Sequence, residues 1–129
     1  MKVLYIHHNS HTGGASNSLK YLISGLKSKN IDIHIICPPG QVFQNFLKLT
    51  PNVYEIKGLP LLMATSGTNF PLIRALISFQ YINQHNKVYD LVKEINPDII
   101  HLNDIGQLIL GKKLKKLGHK VVMHARVAI

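Results

Sequence analysis

At 129 residues and 46% hydrophobic composition the sequence suffices for one domain with a sizeable core and is short for two. The single cysteine, Cys37, excludes an internal disulfide, and the opening "MKVLYIHHNS" lacks the apolar run of a secretory signal, which points to a reducing, cytoplasmic setting. Fifteen Lys and Arg against 6 Asp and Glu give a formal charge of +9, which favours an anionic partner, while the longest oily patch, around "LPLLMA", is far short of a membrane span.

In chain order, "KVLYI" (2–6) is short, β-branched and apolar, a strand signal, and leads into the loop "HHNSHTGGASNSL" (7–19). Leu19, Leu22, Ile23 and Leu26 then recur with helical spacing. A second strand, "IDIHIIC" (31–37), is followed by a short helix at "QVFQNFLKL" and a third strand at "VYEI" (53–56). "FPLIRALISFQYINQ" opens a longer helical stretch, and Val88, Leu91, Val92 and Ile95 form an apolar stripe. The strand "DIIHL" (98–102) precedes a helix in "IGQLILGKKLKKL", closed by Gly118 where a helix takes its C-terminal glycine, and "KVVMH" (120–124) is the fifth strand. There are no repeats, low-complexity segments or linkers.

Strands alternating with helices predict an α/β domain: a doubly wound, mostly parallel, Rossmann-like sheet with right-handed crossovers. Ligands of such sheets bind beyond the carboxyl ends of the strands, at His7 to Ser16, Pro38 to Gly40, Gly58, Asn103 to Gly106 and His124 to Arg126. In the first loop, Gly13 and Gly14 allow backbone turns forbidden to other residues and close approach of a ligand. The helix that starts near Ala15 adds unpaired N–H groups and a positive dipole end, so the loop suits a phosphate. A tight turn without a ligand would also use glycines, and Ser16 or Ser18 fits a helix cap. The loop is not G-x-G-x-x-G and no acid ends the second strand, against a nicotinamide site; a P-loop is absent, and His7 and His8 stand where a receiver domain needs acids.

His7, His8 and His11 lack a neighbouring cysteine or acid, so a zinc site there is disfavoured. His34 and His101 read as packed strand residues, and His119 as part of a turn. Five lysines lie between Lys112 and Lys120, either as the wet face of a helix whose Leu110, Leu114 and Leu117 point inward or as a site for an anionic surface. No aromatic is interleaved with them to stack bases, so nucleic acid is not expected as a partner.

The segment "KVLYIHHNSHTGGASNSLKYLISGLKSKNIDIHIICPPG", followed by "PDIIHLND" and "HKVVMHAR", resembles the start of the family 4 glycosyltransferases, two-domain enzymes of the GT-B fold. The variant "GGASNSL" together with "HAR" is most similar to bacterial members that build cell-surface polysaccharides. The resemblance implies retaining transfer from a nucleotide sugar to a glycan or lipid-linked acceptor, without an obligatory metal or other cofactor, in a cleft between two domains. Residues 1–129 would form the first, acceptor-side domain. The donor-binding domain with its paired glutamates, and further strands of the first domain, are not in this sequence, so a fragment with an exposed sheet edge is expected.

Carried residue by residue, the resemblance implies that Gly13 and Gly14 bring backbone amides to the donor diphosphate. His124, the catalytic candidate, meets the donor sugar near the reacting carbon. Arg126 and Ser16 are candidates for an anionic group or substrate, and Asn103 and Asp104 for the acceptor. Lys112, Lys113 and Lys116, with Lys115 and Lys120 nearby, would draw the domain to anionic lipid at the inner face of the cytoplasmic membrane. The alternative reading is a free-standing Rossmann-like module that binds a phosphate or nucleotide without catalysis.

Overall fold

The computed structural model describes residues 1–59 and 71–125, and within the second stretch side chains from 82 onward. Five strands, β1 (Lys2–Ile6), β2 (Asp32–Cys37), β3 (Val53–Glu55), β4 (Ile99–Leu102) and β5 (Val121–Met123), form one sheet in the order β3-β2-β1-β4-β5. All four pairings are parallel, with Ile6 opposite both Ile36 and Leu102. The helices are α1 (Gly14–Leu26), α2 (Gln41–Leu47), α3 (Pro71–Ile95) and α4 (Leu108–Lys116). The sequence segments at "PLIR" and at Val88 to Ile95 are thus parts of one helix, and the strands begin or end within one residue of the expected bounds.

The central strands are apolar on both faces because both are covered, as parallel sheets require. On one face Leu4, Ile6, Ile36, Ile100 and Leu102 pack with Val88, Val92 and Ile95 of α3 and with Leu110 and Leu114 of α4. On the other, Val3, Tyr5, Ile33, Ile35 and Cys37 pack with Leu19 and Ile23 of α1 and with Val42 and Phe46 of α2. This alternation by strand position is the doubly wound arrangement that the β/α order predicts. Each fully buried Leu or Ile contributes about 1.5–3 kcal/mol by leaving water. The Cys37 thiol lies inside the second core, where burial, aided by the Glu55 carboxylate, pushes it up to about 12, so it is a packed apolar group and no nucleophile at neutral pH.

Local chemistry sets the helix ends. Asn30 (φ 53°) and Asn96 (φ 48°) take the left-handed conformation that asparagine tolerates, turning the chain from α1 and α3 back toward the sheet. Helix α4 closes as the sequence predicts: Gly118 sits at φ 92°, its amide donates to Lys115 O, and His119 N donates to Leu114 O, the paired bonds of a Schellman stop. One expectation fails there. Leu117 is 60% exposed, not inward, because the helical stripe ends at Lys116 and Leu117 already belongs to the turn. Inside α4, a Cβ on Gly111 would stand 2.7 Å from Leu102 Cδ1 and 3.2 Å from Met123 Cε, so a glycine lets the helix lie close on β4 and β5. Among the described residues no helix is long and apolar enough to cross a membrane.

Candidate functional site at the sheet's switch point

From β1 the chain winds outward to β2 and β3, then returns to place β4 on the other side of β1. The loops after β1 and β4 therefore diverge over the gap between adjacent strands, which is where open α/β sheets hold ligands.

The first loop is anchored at several points. His7 N donates to Ile36 O at 2.9 Å, His11 N to Asn9 Oδ1 at 3.0 Å, and Val42 N at the start of α2 to Ser10 O at 3.4 Å. Gly40, at φ 129°, has room for no side chain on that contact, since a Cβ would lie 3.1 Å from Ser10 O. At the entry to α1, Ser16 Oγ accepts from Gly13 N at 2.9 Å and donates to Gly13 O at 3.0 Å. This is half of a capping box; the reciprocal half is missing because Gly13 has no side chain. The first intrahelical bond runs from Asn17 N to Gly13 O, so the Gly14, Ala15 and Ser16 amides precede the helical ladder and carry the positive end of the dipole, with no acid in the first turn.

Two sequence expectations are corrected here. Gly13 (φ −165°) is extended, Gly14 is helical, and neither has a positive φ, so conformational freedom is not what glycine supplies. What it supplies is room: a Cβ on either residue would meet nothing within 4 Å, and both are exposed. Ser16, expected as an anion contact, is buried at 5% exposure and its one hydroxyl proton goes to Gly13 O, so it is a cap.

After β4, Asn103 is fully buried. Its Nδ2 donates to His7 Nδ1 at 3.0 Å and to Ala15 O at 3.1 Å. An acceptor in solvent cannot reach that amide, which corrects the expected acceptor role. Asp104, half-buried, uses Oδ1 to accept from Gly106 N at 2.7 Å and so caps the short 3-10 turn Ile105–Gln107. The bond between His7 and Asn103 was not anticipated. Its signal was available once the strand order is known, since Ile6 and Leu102 are register partners and the next residue of each strand is His7 and Asn103.

His124 follows β5, two strands from β1, or about 10 Å across the sheet. Its backbone N donates to Leu102 O at 2.9 Å, and its exposed ring stacks on His101 at 6.0 Å and 18°, which in turn lies 5.1 Å from the ring of Tyr5. His101 is the strand residue expected, with the added task of backing His124. Arg126 lies outside the described residues. His7 and His8 have rings 5.6 Å apart, and among the described residues no three His, Cys, Asp or Glu side chains gather at one point.

Burial holds His8 below its ordinary value of 6.5, opposed by the Asp104 carboxylate; burial and the nearby Lys113 do the same to His85 on α3. Both are therefore neutral at pH 7. The unfolded chain takes up these protons as pH falls through 6.5 while the folded chain resists, so their stabilising effect, full above that pH, is lost below it. The melting temperature is expected to fall as pH drops from 6.5 toward 5, and a His8→Asn, His85→Gln double variant to show a shallower fall. An unchanged acid slope in thermal unfolding by circular dichroism would contradict this.

Compared with known proteins, residues 2–126 match the family model described as "Glycosyl transferase 4-like". No curated protein sequence matches the chain. Among solved structures, Spinosyn Rhamnosyltransferase SpnG complexed with thymidine diphosphate aligns with a TM-score of 0.63 and 18% identity, over 97% of this chain and 34% of that one. Another structure of SpnG aligns equally well, with 35% of its chain covered. This likeness is one of fold, and the chain spans about a third of the length of these proteins.

Proposed function

Because the chain belongs to the glycosyl transferase 4-like family, we propose that it is the acceptor-side half of a two-domain GT-B enzyme, transferring a sugar with retention from a nucleotide sugar to a glycan or lipid-linked acceptor of the cell surface. The observation that carries the reading is the open first turn of α1 at the switch point, where among the described residues a Cβ on Gly13 or Gly14 would meet nothing within 4 Å and the amides of Gly14 and Ala15 precede the helical ladder. A diphosphate accepting from those amides is held by hydrogen bonds and by the dipole, without need of a metal. As the bond from the anomeric carbon to the leaving oxygen breaks, charge grows on that diphosphate, and donors fixed in advance lower the barrier. His124 faces the same end of the sheet and supplies the polar contact near the reacting carbon.

In this reading the complete enzyme works in the cytoplasm and turns over a nucleotide sugar, whereas the 129-residue chain alone does not, since half of the cleft that orients the donor is missing. Release of nucleoside diphosphate from a panel of nucleotide sugars, measured for both, tests this. Turnover by the isolated chain contradicts it, and nucleotide binding without any transfer by the complete protein favours the non-catalytic module.

We further place this enzyme at anionic lipid, where a lipid-linked acceptor resides. On α4, at about 100° per residue, Lys112, Lys113 and Lys116 share one stripe with the exposed Ile109, while Lys115 points elsewhere and Lys120 lies past the helix end. At about 1 kcal/mol per lysine near an anionic surface, changing these three to glutamine is expected to lower vesicle binding roughly 100-fold at low salt. Equal sedimentation with anionic and neutral vesicles would return the run to a solvated face.

A further inference from the structure

We propose that Asn103 and His7 are positioning residues that clamp the first turn of α1 onto the sheet and so aim its amides at the donor phosphates. The proposal rests on the reading of that turn as the diphosphate site. Asn103 stands one residue past β4 and His7 one residue past β1, both fully buried. The orientation of the Asn103 amide follows from chemistry alone: a carbonyl can only accept, so the group 3.1 Å from Ala15 O is the NH2 of Asn103. Its second hydrogen then points to His7 Nδ1 at 3.0 Å, which must carry a lone pair. His7 is thereby fixed with its proton on Nε2, and the chain Ala15 O, Asn103, His7 ties α1, β4 and β1 together at one point.

Among the described residues, nothing in the loop itself does this. The Ser16 cap is local to the helix, and the Ser10 and Thr12 contacts hold the loop to α2. Among the described residues, Asn103 is the side chain that ties the backbone of the first turn to the middle of the sheet, where β1 and β4 are immobilised by pairing on both sides. A misplacement of a binding group by about 1 Å can cost a hundredfold in rate, so a buried, doubly committed amide at this position is a device for precision.

The test is nuclear magnetic resonance on the 129-residue chain. In the wild type the ring nitrogens of His7 should report an unprotonated Nδ1 and a protonated Nε2. Asn103→Asp cannot donate to either partner and draws a proton onto His7 Nδ1, so the ring signature should change. Asn103→Ala should speed amide exchange at Asn17 and Leu19 about tenfold more than at Ile23, further along the same helix, and weaken pyrophosphate-induced shifts of the Gly14 and Ala15 amides about tenfold. His7→Asn, which sets an amide oxygen near the place of Nδ1, should keep exchange at Asn17 and Leu19 near wild type, whereas His7→Leu should not. An unchanged His7 ring signature in Asn103→Asp, uniform acceleration along α1, or undiminished pyrophosphate shifts in Asn103→Ala would overturn the proposal. If the wild type shows no pyrophosphate shift at all, the diphosphate reading fails while the ring signature and exchange still decide the clamp.

Discussion

Replacing Gly14 by valine is expected to reduce sugar transfer by the complete enzyme at least about 100-fold, equivalent to about 2.7 kcal/mol of lost transition-state stabilisation, while the domain stays folded. The fold is spared because Gly14 is the first residue of α1, has helical geometry, and would carry a Cβ that meets nothing within 4 Å. The added side chain instead fills the space over the first turn, where a phosphate must come within about 3 Å of the amides. Hydrogen bonds to a charged group are worth about 1.5–3 kcal/mol each, so displacing the phosphate from one or two donors accounts for the loss. Gly25→Ala is the matched control: it lies on the same helix with nothing near its Cβ, and it should gain a few tenths to about 1 kcal/mol of stability with activity unchanged. Steady-state kinetics and thermal melts on the two variants separate the effects. Normal activity in Gly14→Val would leave the loop as a turn.

His124→Ala is expected to lower kcat by about 100-fold or more, with the donor KM changed only severalfold, because a polar contact at the reacting carbon acts mainly in the transition state. Stability should barely move. The ring is exposed, and the backbone bond from His124 N to Leu102 O survives the substitution. The ring's direction comes from stacking on His101, so His101→Phe, which keeps a flat partner, should retain most activity, and His101→Ala should lose part of it. A kcat within tenfold of wild type for His124→Ala would remove this residue from the reacting centre.

The strands and helices were legible because each carries a single dominant signal: an unbroken β-branched run where both faces are covered, or an apolar stripe at helical spacing where one is. Gly118 was legible too, since a left-handed stop after a lysine-rich turn is local chemistry. What sequence could not supply was the outcome of competition for polar atoms. Ser16 fits both an anion contact and a cap, and the backbone of Gly13, three residues back on the same turn, wins its hydroxyl. Asn103 suits an acceptor in the sequence because it follows a strand at the ligand-binding end; strand order places His7 beside it and α1 above it, so the amide turns inward. Gly13 and Gly14 suggest unusual φ in the sequence and have none in the structure, because a glycine that supplies room and one that supplies a left-handed turn leave the same letter. Leu117 kept its helical spacing one residue longer than the helix itself.

Whether the open first turn of α1 seats a diphosphate is tested most directly by amide-resolved titration of the isotope-labelled chain with uridine and thymidine diphosphates. Saturable shifts are expected at millimolar ligand, concentrated at Gly13, Gly14, Ala15 and Ser16 and abolished in Gly14→Val. Shifts centred instead on Lys112 to Lys116, or none at the α1 entry, would contradict that reading.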